Sequence, residues 1–508
     1  MGIIIQQSIK GTIANYVGIV IGFITTFFVI TNYLTTEQVG LTRVLIDAAV
    51  LFSSFAQLGT SSSIVRFFPY FKEEEGTNHG FFFWTLIVPV VGFLIFLGIF
   101  MAFKTPIIDV FSKNSPLFVQ YFRFVIPLSL FMLYQSVFEA NANVLMRIVV
   151  PKLVREVGIR LGLLITYLLF GFHLITLNGL VVGFCITYFL AAAIDIVYLF
   201  TLGKISLKPD FKFITKPLLR NFLLYTLFLI IAAIAGNITP LLNTFFVSAK
   251  MGLTFTGIFA IANYIATVVE IPNRSLNAIV QPNISEAVKN EDWGKTQTLC
   301  RSVSLHLLLS STFIFLLIWI NIDLLFEILP HGEEYAAGKS VVFILGLARL
   351  SNSALSVGSS PLTYSKYYYL SLVFTMVLTI TAITLNVLLI PRIGMNGAAL
   401  SSLFSYFIYY LMLLGLVKWK LHTSVFSRAQ LKVVVIMVAL FLLNLLLYKT
   451  LTPIILRSQM PHLIVFIAES CLRTLCIAVL GIMAVYKWNV SEEINMLINK
   501  MLGKLHLK

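Results

Sequence analysis

The sequence predicts an all-α polytopic membrane protein of about fourteen spanning helices, and two observations support that prediction. Of its 508 residues, 59% are apolar and 11% are charged, with a mean hydropathy of +0.94. In soluble domains about a quarter of the residues are charged. Apolar runs long enough to cross a bilayer recur along the whole chain with no polar domain between them. Lipid is therefore the solvent for most of this chain.

The first apolar run lacks a basic region before it and a small-residue cleavage site after it, so we expect it to be retained as the first helix. Each later run is interrupted by a short polar connection. The runs predict spans at residues 10–33, 41–66, 81–103, 119–139, 153–172, 177–202, 221–246, 254–281, 302–326, 340–364, 368–390, 396–417, 431–450 and 462–486.

Lysine and arginine are distributed unequally over the predicted connections. Most of them lie on the side that the two termini share, and positive residues accumulate on the cytoplasmic side of membrane proteins. Both termini should therefore be cytoplasmic. The net charge of +15 is spread over many short loops and forms no continuous patch, so we expect no nucleic-acid partner. The four cysteines show no CxxC pattern, and we expect no disulfide, metal or cofactor.

Two charged segments are too polar to span the membrane. Residues 203–220 interleave lysines with Ile, Leu and Phe, and the tail from Val490 places apolar residues at helical spacing against lysines. Both segments should lie along the membrane surface as anchors.

An internal repeat is indicated by two short matches between the halves of the chain. Gly40, near the start of the second span, corresponds to Gly257 near the start of the eighth, and Asn178-Gly179 corresponds to Asn396-Gly397. Nearly equal spacing of the two matches favours a duplicated six-helix unit. We therefore expect an N-terminal lobe at 1–202, an amphipathic cytoplasmic linker at 203–220, a C-terminal lobe at 221–417, and two additional helices with an interfacial tail at 418–508.

Three motifs resemble a known family. The string from Leu389 to Leu400, LIPRIGMNGAAL, resembles the "iPxxGxxGAAlat" signature of multidrug/oligosaccharidyl-lipid/polysaccharide exporters. Residues from Gly257 to Asn263 resemble the opening of that family's eighth helix, and Pro282 to Ser285 resemble its close. The resemblance implies alternating access of two lobes around a central cavity. A count of fourteen helices is more similar to polysaccharide and lipid II flippases than to drug exporters.

Charged residues at membrane depth are costly unless they face a cavity or a partner, so each is a candidate for function. Arg43 and Asp47 lie four residues apart and share one helical face. Glu270 and Arg274 repeat that spacing around Pro272, which should kink the helix. The family resemblance implies that the helices bearing both pairs line the cavity. For Arg43 and Asp47, a structural ion pair is as plausible as a role in transport. For Glu270 and Arg274, the position beside a kink favours a role in a gate that moves during transport.

Further candidates lie deeper in the spans. Arg349 stands about ten residues into its span, too deep to reach the headgroups easily, so we expect it to face the cavity. Asn237 and Asn263 are candidates for hydrogen bonding to a sugar. Glu469 and Arg473 show the same four-residue spacing outside the repeated core, where a structural pair is expected.

These observations indicate a flippase that moves an undecaprenyl-pyrophosphate-linked oligosaccharide across a bacterial inner membrane. Arginine matches phosphate oxygens and stays charged at low dielectric. One alternative is a cation-coupled drug exporter with Asp47 or Glu270 as the coupling carboxylate. A membrane glycan polymerase or ligase is less favoured, because the sequence lacks a recognisable catalytic motif, and a scaffold role in an assembly complex is the third alternative. We expect no enzymatic activity, and a monomer that can associate with polysaccharide polymerase or export machinery. The energy source is open between a proton gradient, a sodium gradient and consumption of the product.

Overall fold

The computed structural model describes residues 2–72, 78–202, 206–211, 213, 215–455 and 462–504. Within these ranges the regular secondary structure consists of α-helices with short 3₁₀ and π-helical turns. The chain divides into two compact units, Met1–Ala260 and Ile261–Lys508. The predicted all-α polytopic fold is confirmed.

The helices of the first unit are joined by short connections, and several are interrupted by a turn of a different helical type. In order they are α1 (Gly2–Ile24), α2 (Thr31–Tyr33), α3 (Thr36–Ala56), α4 (Thr60–Phe71), α5 (Phe81–Ala102), α6 (Lys104–Ser112), α7 (Pro116–Tyr121), α8 (Val125–Val144), α9 (Val149–Leu153), α10 (Ile159–Gly171), α11 (Leu177–Thr201), α12 (Lys216–Met251) and α13 (Leu253–Thr267), which continues into the second unit.

The helices of the second unit follow α13 after the 3₁₀ turn Val268–Glu270. In order they are α14 (Ile271–Lys289), α15 (Trp293–Ile320), α16 (Ile322–Ile328), α17 (Gly332–Ala336), α18 (Lys339–Leu355), α19 (Ser360–Tyr364), α20 (Tyr369–Ile393), α21 (Met395–Leu421), α22 (Arg428–Ile455), α23 (His462–Lys487) and α24 (Glu492–Lys504).

Among the described residues, 12 helical stretches are long and apolar enough to cross a membrane. They coincide with all of the predicted spans except the fifth and the seventh. The fifth coincides with α9, a π-helical turn and α10, which together carry the charged residues Lys152, Arg155, Glu156 and Arg160. The seventh coincides with α12. Helices therefore occupy every position where the sequence predicts a span.

The second predicted span, 41–66, is not one continuous helix. The chain breaks between α3 and α4, where Leu58 has φ 49° and Gly59 has φ 65°. A positive φ is favourable for glycine but strained for leucine, so Gly59 sets this turn. Conversely, α3 begins earlier than predicted, because Thr35 and Gln38 form a capping box at its start.

The described part of the predicted linker 203–220 forms no helix of its own. Residues Lys216 to Arg220 form the first turns of α12, and residues 206–211 are not helical. The linker is instead fastened to the first unit: Asp210 pairs with Nδ1 of His79 at 3.2 Å, and the His79 ring stacks on Phe213 with centroids 3.8 Å apart. Phe213, an aromatic residue that contributes to the amphipathic pattern of the segment, therefore packs against protein. Residues 203–205, 212 and 214 lie outside the described part of the chain.

The tail forms a helix as predicted, α24. The segment that leads into α24 is buried in the second unit, because Val490 is 3% exposed and packs with Val485 and Ile477 in one apolar cluster. The tail is therefore anchored by protein contacts as well as by its own apolar face.

Glycines allow α3 and α13 to approach each other closely. A Cβ on Gly40 would strike the carbonyl oxygen of Leu253, and a Cβ on Gly257 would strike the carbonyl oxygen of Thr36. Only residues without a side chain permit this backbone contact. The glycines that the sequence matched as repeat equivalents therefore meet in the first unit.

Candidate functional site

The first group of candidate residues lies on α3. Arg43 Nε donates to Asp47 Oδ2 at 3.0 Å, one helical turn away, as the spacing predicts. Asp47 is buried with a side chain 4% exposed, whereas the side chain of Arg43 is 40% exposed. Thr244 of α12 supplies a further hydrogen bond to Asp47. Asp47 thus fixes one edge of the guanidinium and leaves the rest of it accessible.

The second group lies in the second unit around Glu270, which ends the 3₁₀ turn between α13 and α14. Arg349 Nη1 on α18 donates to Glu270 Oε2 at 3.2 Å, and Arg349 Nη2 donates to the amide oxygen of Asn263 at 3.1 Å. Asn352, also on α18, donates to Glu270 Oε1 at 2.7 Å. Both oxygens of the carboxylate are therefore occupied, and three helical segments converge on it.

The 3₁₀ turn explains why these residues meet. Pro272 is at the start of α14 and lacks an N–H, so it suits the first turn of a helix and not its interior. The predicted eighth span is accordingly interrupted at Val268–Glu270. The interruption directs Glu270 toward Arg349 and Asn352 on α18.

The predicted pairing of Glu270 with Arg274 is not what the structure shows. Glu270 pairs with Arg349, while Arg274 is exposed and has no acidic partner among the described residues. The reason is the 3₁₀ turn, because the face shared by residues four apart exists only where the α-helix is continuous. Arg274 therefore keeps its positive charge available.

A row of amide and hydroxyl groups continues from Arg274 along α14. Ser356 donates to the side-chain oxygen of Asn273 at 3.1 Å, and the Gln281 amide donates to Ser360 at 2.9 Å. These groups form hydrogen bonds between α14 and the segment that follows α18. They give one side of α14 a polar character that is unusual at membrane depth.

The other predicted residues are placed as follows. Asn263 belongs to the Glu270 group, whereas the side chain of Asn237 lies outside the described part of the chain. Glu469 and Arg473 are both buried and pair at 3.3 Å, in the manner of a structural pair.

Two residues of the second group were not predicted. Asn352 bonds to Glu270, and the Tyr410 hydroxyl on α21 bonds to the side-chain oxygen of Asn352. Asn352 could have been found, because it lies three residues after Arg349 and so shares its face of α18. Tyr410 lies far from both in the sequence and no local pattern connects them.

The family model described as "Polysaccharide biosynthesis protein" matches residues 5–288 of this chain. No curated protein sequence matches this chain. Among solved structures, the chain is similar to the lipid II flippase MurJ in an inward closed conformation, with a TM-score of 0.73 and 15% identity over 95% of this chain and 100% of that chain. It is also similar to an inward-facing multidrug resistance MATE family transporter of the MOP superfamily, with a TM-score of 0.61 and 13% identity over 76% of this chain and 92% of that chain.

A third similar structure is a MOP superfamily transporter from Pyrococcus furiosus, whose description states that a reverse polarity of its binding pocket suggests a different function. The TM-score is 0.55, with 13% identity over 83% of this chain and 96% of that chain. At these identities the likeness establishes the fold. The resemblance to multidrug/oligosaccharidyl-lipid/polysaccharide exporters is confirmed, and the similar structures are a flippase and transporters, not enzymes.

Proposed function

The chain belongs to the polysaccharide biosynthesis protein family, and from this premise we propose that it moves an undecaprenyl-pyrophosphate-linked oligosaccharide across a bacterial inner membrane. The polar end of the lipid would pass from the cytoplasmic to the periplasmic leaflet by alternating access. The isoprenoid tail would remain in the bilayer. The protein would then handle only the pyrophosphate and the sugars.

The observation that supports this proposal most directly is the accessible arginines at membrane depth. Arg43 is two-fifths exposed within its span, and Arg274 is exposed with no acidic partner among the described residues. An accessible guanidinium facing lipid would be costly, so each is expected to face a water-filled space. Arginine forks bind phosphate oxygens through paired hydrogen bonds. Each of these side chains can therefore supply positive charge for a phosphate group.

The Glu270 group can serve the sugar. Arg349 neutralises Glu270, so the group as a whole presents donors and acceptors without an excess negative charge. Asn263, Asn352 and Tyr410 add amides and a hydroxyl. Such groups match the mixed donor and acceptor hydroxyls of a glycan.

A cation-coupled drug exporter is the alternative within the same superfamily. That function would require an acidic group available to a cation in the candidate site. Asp47 and Glu270, the two acids proposed for that role, each already bind an arginine. The charge distribution therefore favours an anionic substrate.

The experiment that tests the proposal compares strains that lack the chain and carry one variant each. The readout is the leaflet that holds the lipid-linked oligosaccharide, measured by its accessibility to a membrane-impermeant glycan-oxidising reagent in intact spheroplasts. Arg274→Ala should leave complete units on the cytoplasmic side and reduce surface glycan, while Arg274→Lys should retain part of the transport because the charge remains.

The matched control is Arg147→Ala, because Arg147 is an exposed arginine in the connection after α8. It should leave transport unchanged at equal protein level. Oligosaccharide that reaches the outer leaflet at the normal rate without the chain would overturn the proposal. Normal glycan with raised sensitivity to cationic dyes would identify the drug exporter instead.

A further inference from the structure

Asp195 on α11 is a buried acid that has no counter-ion in the part of the chain that the structure describes. Its residue is 0% exposed, and neither carboxylate oxygen has a hydrogen-bond partner in the described part of the chain. It lies six residues before the end of α11 at Thr201, which places it about 9 Å along the helix from that end. An ionised carboxylate in such a position costs several kcal/mol.

Two side chains of α8 face Asp195. Gln135 and Glu139 lie one turn apart on α8; Gln135 is the side chain directed at the Asp195 carboxyl, and Glu139 is close enough to repel it electrostatically. Gln135 is 7% exposed, and its amide nitrogen has no partner among the described residues. The site thus contains two carboxyl groups and an unpartnered buried amide directed between the helices.

The neighbouring arginines are already used by other acids. Arg155 donates to Glu139 at 2.8 Å and pairs with Glu156 at 3.0 Å, and Arg160 pairs with Glu156 at 3.1 Å. Two arginines therefore balance two glutamates, and Asp195 is left over. The charged side chains on the elements packed against α11 are Glu139, Lys152, Arg155, Glu156, Arg160 and Arg123.

None of these cations reaches Asp195. Lys152 acts on Glu139 only at longer range, and Arg123 belongs to the 3₁₀ turn before α8, far along that helix from Glu139. A metal ion would need several oxygen ligands, and the described residues contain no group of three His, Cys, Asp or Glu side chains that could hold one. A proton needs only one carboxylate oxygen and one acceptor.

We propose that Asp195, with Glu139 and Gln135 beside it, forms a proton-binding site in the first unit. A proton binds to one carboxylate oxygen of Asp195 and makes the carboxyl group neutral, and the Gln135 amide nitrogen faces the carboxyl as a donor to its other oxygen. The negative charge of Glu139 nearby favours the neutral form of Asp195. The proposal that a proton binds here is argued from this geometry and does not depend on the proposed function. The use of this site as the coupling site, which lets the proton gradient drive transport, rests on the proposed function.

The occupancy is tested on the purified full-length protein by infrared difference spectroscopy during a pH titration, with protons as the probe. The wild type should show the carbonyl stretch of a protonated carboxylic acid at neutral pH. Asp195→Asn should lose that band, since asparagine keeps the shape of the side chain but cannot titrate. Asp47→Asn is the matched control and should keep the band, because Asp47 is an equally buried acid that pairs with Arg43.

Persistence of the band in Asp195→Asn, or its absence from the wild type, would overturn the proton site. Binding of radioactive Na⁺ that is lost in Asp195→Asn, with no such band in the wild type, would also overturn it and assign the site to sodium.

The coupling role has a separate readout in proteoliposomes loaded with a fluorescent undecaprenyl-pyrophosphate disaccharide. A proton gradient should accelerate transport by the wild type, and Asp195→Asn should retain its basal rate but lose the acceleration. Acceleration that persists in Asp195→Asn would overturn the coupling role while leaving the proposed function intact. An absence of transport by the wild type would contradict the proposed function and not the proton site.

Discussion

Arg349 and Glu270 form an ion pair at 3.2 Å in the second unit, and each is held from another side by an asparagine. Asn263 accepts from Arg349, and Asn352 donates to Glu270. Because the charged atoms of both residues have polar partners, neither charge is left exposed to apolar surroundings. The pair joins α18 to the turn before α14 and so fixes the start of α14, the helix that carries Arg274.

Arg349→Ala should destabilise the protein by about 3–5 kcal/mol, because it leaves Glu270 buried without a cation. The measurement is thermal unfolding of the detergent-solubilised protein. Arg349→Ala combined with Glu270→Gln should recover much of the loss, since the unpaired charge is then removed as well. Equal stability of the single and double variants would contradict the ion-pair explanation.

Gly40→Ala and Gly257→Ala should each destabilise the protein by about 1–3 kcal/mol or more, because the new Cβ would meet a backbone carbonyl that cannot move aside. The control is Gly98→Ala on α5, where a Cβ would meet nothing within 4 Å. Thermal unfolding of the three variants should therefore separate the two contact glycines from Gly98. If all three unfold at the same temperature, the close approach of α3 and α13 is wrong.

Arg473→Ala should lower stability without lowering transport per folded molecule. Its pair with Glu469 is buried between helices of the second unit, with Asn444 at 3.4 Å and the Tyr448 ring 5.0 Å away. Removing one buried partner costs about 3–5 kcal/mol. The double variant Glu469→Gln with Arg473→Met should recover stability, because it removes both buried charges. Transport that fails at normal protein level in the double variant would show that the pair acts on the substrate.

The predicted orientation can be measured by cysteine labelling in a variant without the native cysteines. Asn290→Cys, in the connection after α14, should react with an impermeant maleimide only when the reagent is given access to the cytoplasmic side of the membrane. Glu334→Cys, on α17, should react from the opposite side, because connections alternate and lysine and arginine concentrate on the cytoplasmic side. Both native residues are exposed, so either position can react. Labelling of both from one side would contradict the predicted topology.

The fold was predictable because the bilayer requires long apolar helices, and such runs can be recognised one at a time. The pairs Arg43–Asp47 and Glu469–Arg473 were also predictable from local sequence, because residues four apart lie on one face of a helix. The partner of Glu270 was not predictable, because Arg349 lies on another helix and the 3₁₀ turn removed the local partner.

The isolation of Asp195 could not be read from the sequence either. Arg155 and Arg160 lie on segments that pack against α11, yet both pair with glutamates. Which acid is left without a cation depends on how α8, α11 and the segment between them pack. A count of charges in the sequence gives only their total.

The contact between Gly40 and Gly257 is reciprocal: Gly40 approaches the carbonyl of Leu253, and Gly257 approaches the carbonyl of Thr36. In each case the glycine lies four residues after the residue that offers its carbonyl to the other helix. This is the geometry of an isologous contact, in which one surface is complementary to itself. If the predicted repeat arose by duplication of a six-helix unit, a polypeptide that carried one such unit would already possess both halves of this contact. Two such chains could therefore pair about a two-fold axis, and gene fusion would preserve that contact.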